Sequence, residues 1–132
     1  MAVFDANVLV ALIVALPWSE SARRAVAGRP IRMAPSLATV EVGNAIWQNV
    51  RSGSLAADHA EFSLRKAMSS MTLVPVDDLV AAALRIAIQY GHPIYDCCYL
   101  ALAQRDRDTL VTADGRLAAL AERVGVWVEY IS

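Results

Sequence analysis

Along this chain, short apolar runs alternate with longer stretches in which apolar residues recur every three or four positions. The first pattern is that of buried strands, the second that of helices with one buried face. Val3-Phe4 begins a strand, and Asn7 is placed to N-cap a helix running through Leu16, which Pro17 stops. Ser19 caps a short helix ending near Gly28, and Ile31-Arg32-Met33 forms a brief second strand. After Pro35-Ser36 a helix runs to about Arg51, and Gly53 separates it from another, Ala56 to Ser69. "TLVPV" is a third strand, Asp77 or Asp78 caps the next helix, and Gly91 ends it. Pro93 opens a helix over Ile94 to Arg105, "TLVT" is a fourth strand, Asp114 opens a short helix, and "VWVEYI" is a closing strand.

Strands separated by helices imply parallel pairing, because a parallel neighbour needs a crossover long enough to hold a helix. The expected fold is therefore α/β, a single domain over residues 1–132 with a mainly parallel central sheet flanked by helices. In such folds sites form just beyond the carboxyl ends of the strands.

Composition narrows the class. With 132 residues the chain buries a core without staples, and its 57% hydrophobic content predicts apolar surface covered by a partner or a second copy. A net charge of -1 excludes the basic footprint that binds nucleic acid unaided. The uncharged run from Ala6 to Ser19 is shorter than the roughly 20 residues a bilayer requires. It also follows Asp5 with no preceding Lys or Arg, which is not how a signal peptide is built. Cys97 and Cys98 are adjacent, a spacing that suits neither a disulfide framework nor a zinc knuckle, and they read as core or interface thiols. A soluble cytoplasmic protein with no membrane segment is expected.

Most of the 13 acidic residues have an ordinary explanation. Asp58, Glu61, Asp106, Asp108, Glu122 and Glu129 lie in polar stretches or near chain ends, and Glu20, Asp77 and Asp78 begin helices, where the macrodipole favours negative charge. Four resist it. Asp5 ends the apolar strand "VF", Glu41 interrupts "SLATVEVGNAIW", Asp96 sits inside "PIYDCCYLALA", and Asp114 follows "TLVT". Singly, Asp114 reads as a helix cap and Asp5 as a partner for the N–H groups after it. Together, two lie at carboxyl ends of strands and two in the first turns of helices, places that converge on one edge of a parallel sheet. With no Lys or Arg among them, like charges this close destabilise a fold unless a divalent cation intervenes. Oxygen-only ligands select a hard ion, Mg²⁺ or Mn²⁺, and the absence of an EF-hand loop disfavours calcium.

At these residues the sequence resembles the PIN-domain family, and within it the VapC-type toxins of bacterial toxin–antitoxin pairs. The likeness spans essentially the whole chain through "VFDANVLV", "SLATVEVGNAIW", "IYDCCYLALA" and "LVTADGRL". It maps an acidic quartet onto Asp5, Glu41, Asp96 and Asp114, and supporting polar positions onto Asn7, Asn44 and Thr112. Many relatives carry a further acid shortly after the fourth; here Gly115 and Arg116 follow, and the next acid is Glu122. The resemblance implies a metal-dependent endoribonuclease with an RNA substrate, frequent homodimerisation, and inhibition by a cognate antitoxin protein.

In that reading Asp5 and Asp96 ligate the metal directly, while Glu41 and Asp114 complete the shell. With the four acids committed to the site, the 12 basic residues outnumber the remaining acids. All but Lys66 are arginine, which suits phosphate, and Arg116 is the best placed. His92 belongs to a helix-ending turn and His59 to the surface. A dehalogenase-type phosphatase needs a second Asp where Asn7 stands, a receiver domain needs a late lysine, and a phosphate-binding glycine loop is missing from "DANVLVAL". The remaining alternative is a PIN-like binding module whose acids are vestigial and which only pairs with its partner.

Overall fold

The computed structural model describes all 132 residues, Met1–Ser132. Five strands, β1 (Ala2–Phe4), β2 (Arg32–Pro35), β3 (Thr72–Val74), β4 (Thr109–Thr112) and β5 (Val128–Tyr130), form one sheet in the order β3-β2-β1-β4-β5. Every pairing is parallel; Val3 stands between Met33 on one side and Leu110 on the other. The first strand of the sequence is thus the middle of the sheet, and it is buried along its whole length. An apolar "AVF" is what a strand covered on both faces requires.

Seven helices cover the two faces. Side chains alternate across a strand, so Ala2 and Phe4 enter one core while Val3 enters the other. The Phe4 side holds α1 (Ala6–Val10), α2 (Ser19–Ala27), α3 (Leu37–Arg51) and α4 (Ala60–Met68). The Val3 side holds α5 (Val80–Tyr90), α6 (Ile94–Asp106) and α7 (Gly115–Val124). In α6, all seven residues from Cys97 to Ala103 are buried, which explains why that segment shows no polar face. No helix is long and apolar enough to cross a membrane.

Several boundaries differ from the sequence reading. The first helix stops at Val10, well short of Leu16; the chain then turns, and Ser19 Oγ accepts from Leu16 N and donates to Val14 O, closing that turn rather than capping the next helix. Asp5, not Asn7, occupies the N-cap position of α1. Asp77 and Asp78 lie in a 3₁₀ turn before α5 and do not cap it by side chain. Another 3₁₀ turn, Ala57–His59, precedes α4. Glu41 falls in the second turn of α3, not the first. Asp108 is buried instead of solvated, and burial raises its pKa. Gly91 ends α5 at φ 64 as expected, the left-handed conformation that a glycine adopts without strain.

Candidate active site

The strand order reverses at β1, with β2 leaving to one side and β4 to the other. That divergence opens a crevice beyond the carboxyl ends. A cleft of about 400 Å³ lies there, and Asp5, Glu41, Asp96 and Asp114 all line it, with Asn7 beside them. The four carboxylates come from four segments far apart in sequence: the end of β1, α3, the first turn of α6, and the N-cap of α7.

Each carboxylate is held on one oxygen. Thr112 Oγ1 donates to Asp5 Oδ2 at 2.7 Å, and Tyr99 donates its phenol to Glu41 Oε1 at 2.5 Å. His92 Nε2 lies 2.7 Å from Asp96 Oδ2, and Arg116 N donates to Asp114 Oδ1 at 2.9 Å. The second oxygen of each acid has no side-chain donor. Asn7 does not orient an acid; its Oδ1 accepts from Ala113 N at 3.2 Å and ties the start of α1 to the end of β4.

Burial acts on two of these acids. Asp5 is 7% exposed, and burial pushes its pKa up to about 7, opposed by the Thr112 bond and reinforced by Asp96 and Glu41. Glu41 is raised for the same leading reason, with Tyr99 opposing and Asp96 adding. No Lys or Arg pairs with any of the four; the arginine ion pairs, with Glu20, Glu129, Glu61 and Asp106, lie elsewhere. No three of these side chains close on a single point. The donor set is nevertheless all oxygen, converging on one cavity and uncompensated by arginine or lysine, and that chemistry fits a hard divalent cation.

Residues 2–123 match the PIN domain family. This chain belongs to that family. Ribonuclease VapC3 of Pyrobaculum aerophilum is 33% identical to this PIN domain over 119 residues, 88% of this chain and 91% of the relative. The solved PAE2754 of Pyrobaculum aerophilum superposes with a TM-score of 0.70 at 29% identity, covering 90% of this chain and 83% of that one. A toxin–antitoxin complex from Klebsiella pneumoniae shares the fold, with a TM-score of 0.68 at 21% identity over 90% and 91% of the two chains.

The PIN domain brings six of the seven expected site positions together. Asn44 is the exception: it is exposed and bonds to nothing, and α3 faces the cleft with Ala45, Gln48 and Asn49 instead. Arg116 is exposed next to Asp114. His92 does lie in the turn after α5, but its contact with Asp96 went unread, although the spacing of four was visible. Tyr99 was also missed. A tyrosine three residues after Asp96 on a buried helix needs a partner for its hydroxyl, and that requirement was the available signal. The thiols are core groups: burial raises both, Cys97 to about 11, which leaves no thiolate for nucleophilic work.

Proposed function

We propose that this PIN domain is a Mg²⁺- or Mn²⁺-dependent endoribonuclease, the toxin of a cytoplasmic toxin–antitoxin pair, hydrolysing RNA phosphodiester bonds. The observation that carries it is the convergence of four carboxylates, without arginine or lysine, on the crevice where the parallel sheet divides. The similarity to a protein named a ribonuclease supports the substrate class, and the fold shared with a toxin–antitoxin complex supports the partner. Asp5 and Asp96 are the direct ligands, with Glu41 and Asp114 completing the shell. A divalent ion held there supplies an acidified water and positive charge against the phosphate.

The chain's own residues prepare for that. With its pKa pushed up to about 7, Asp5 is only partly ionised at neutral pH while metal-free, and it gives up its remaining proton to bind a cation. Thr112, His92 and Tyr99 fix the carboxylates from behind, as outer-shell partners orient ligands. A homodimer is part of the same reading. Val80, Leu84 and Ile88 form an exposed apolar stripe on α5, and Trp47 and Val40 are exposed on α3.

Thermal melting of wild type and Asp96→Asn against Mg²⁺ and Mn²⁺ tests the site. Wild type gains stability as either ion rises. Asp96→Asn starts more stable without metal, because one of several repelling charges is gone, and responds less. Asp96→Asn also abolishes cleavage while keeping partner binding. A variant that leaves function untouched would instead make the domain a binding module.

A further inference from the structure

The cleft that holds the carboxylates has a second lobe. Asp96 and Asp114 line the 400 Å³ cavity on one side and, on the other, a cavity of about 580 Å³ walled by Tyr90, His92, Arg116 and Arg123. The two lobes differ in charge. The first carries Asn7, Trp18, Gln48 and Asn49 but no cationic side chain. The second carries two arginines, neither in an ion pair with a carboxylate.

One of those arginines is already ordered. The Arg123 guanidinium stands 5.2 Å from the centroid of the Tyr90 ring, and the Tyr90 hydroxyl donates to Arg123 O at 3.5 Å. A guanidinium stacked on an aromatic face keeps its N–H edge free for an anion and loses less freedom on binding one. Arg116 is tethered from the other end, since its backbone N–H is bound to Asp114. Two exposed guanidiniums beside Asp96 and Asp114, neither in an ion pair with them, are placed for an incoming anion.

Resting on the nuclease reading, we propose that the Arg116–Arg123 lobe is a phosphate subsite of the substrate. It grips the backbone of the RNA strand on one side of the scissile bond only. The carboxylate lobe, which holds no cationic side chain, takes the base and ribose on the other, against Trp18 and the amides of Asn7, Gln48 and Asn49. The strand is thereby anchored asymmetrically, and Tyr90 is a positioning residue acting through Arg123.

The test uses the full chain with Mn²⁺, a single-stranded oligoribonucleotide for cleavage, and a fluorescein-labelled oligodeoxyribonucleotide of equal length for binding. Arg116→Gln and Arg123→Gln should each raise KM and Kd about tenfold with kcat little changed. Each should also lower the slope of log K against log salt by about 0.7, the value for one phosphate contact on a single strand. Tyr90→Leu should match Arg123→Gln and add nothing to it, while Tyr90→Phe, which keeps the ring, should bind like wild type. Arg65→Gln, on α4 and ion-paired with Glu61, is the control and should change neither. Wild type that cleaves RNA, with arginine variants of unaltered KM and slope, overturns the subsite alone. Arginine variants that weaken only partner binding also overturn it, by assigning the guanidiniums to a protein carboxylate. Wild type that neither binds nor cleaves overturns the nuclease reading, and the subsite with it.

Discussion

Thr112 Oγ1 donates its proton to Asp5 Oδ2 at 2.7 Å, and that hydroxyl oxygen in turn accepts from Asp114 N at 3.0 Å. One buried hydroxyl therefore couples the acid after β1 to the acid after β4. Thr112→Val keeps the shape and removes both bonds, leaving Asp5 without its hydroxyl donor. We expect a loss of about 1–3 kcal/mol in urea denaturation. Metal-stimulated cleavage should also fall, and Thr112→Ser should restore it. Equal stability in the valine variant would show that the hydroxyl is not what holds Asp5.

Burial raises the Asp5 pKa from 3.8 to about 7, so the folded state keeps a proton that the unfolded chain has already lost. The folded state binds more protons between those values, and stability falls as pH rises through that window. In chelator, wild type should lose stability from about pH 4 to pH 7, by at most about 1.4 kcal/mol per pH unit from this group. Glu41 adds to the loss, since its shift has the same direction. Asp5→Asn should flatten the profile, and Mn²⁺ should reverse its sign by favouring the ionised acid. Denaturation curves across pH, with and without metal, measure all three.

Tyr99 is fully buried, and burial together with Asp5 and Glu41 drives its pKa far above the tyrosine range, so it remains a donor at every working pH. Tyr99→Phe should leave the fold intact and lower metal affinity or activity about 10- to 100-fold, the usual cost of losing an outer-shell partner. Isothermal titration with Mn²⁺ reads it directly.

His92 holds Asp96 across the start of α6. His92→Ala should weaken Mn²⁺ binding by at least about tenfold, and His92→Gln, which retains a donor, should recover part of it. Unchanged Mn²⁺ affinity in His92→Ala would leave the imidazole a surface contact.

The parallel α/β layout was legible because "AVF" and "TLVT" are apolar where both sheet faces are covered, and because crossovers between parallel strands must be long. The four acids stood out for the same reason, as carboxylates in apolar surroundings. What the sequence hid is tertiary. Nothing local separates an α1 that ends at Val10 from one that reaches Leu16, because Ala11–Leu16 is uniformly apolar and Ser19 settles the turn by bonding backward. Tyr99 resembled the core residues around it, and only the fold brings its hydroxyl to Glu41 on α3. Asn44 was placed by spacing on a neighbouring helix face, and that face points to solvent.

β1 stands in the middle of the sheet, yet it gains its second neighbour only when β4 is made. Its partner β4 ends at Thr112, and the bond from Thr112 to Asp5 spans 107 positions. At about 5–20 residues per second, a ribosome needs several seconds to make that stretch, during which β1 has no neighbour on its β4 side. Asp114 emerges later still. A nascent chain therefore cannot assemble the carboxylate centre, and a fragment released before β4 lacks it altogether. The four acids come together only after Asp114 has left the ribosome.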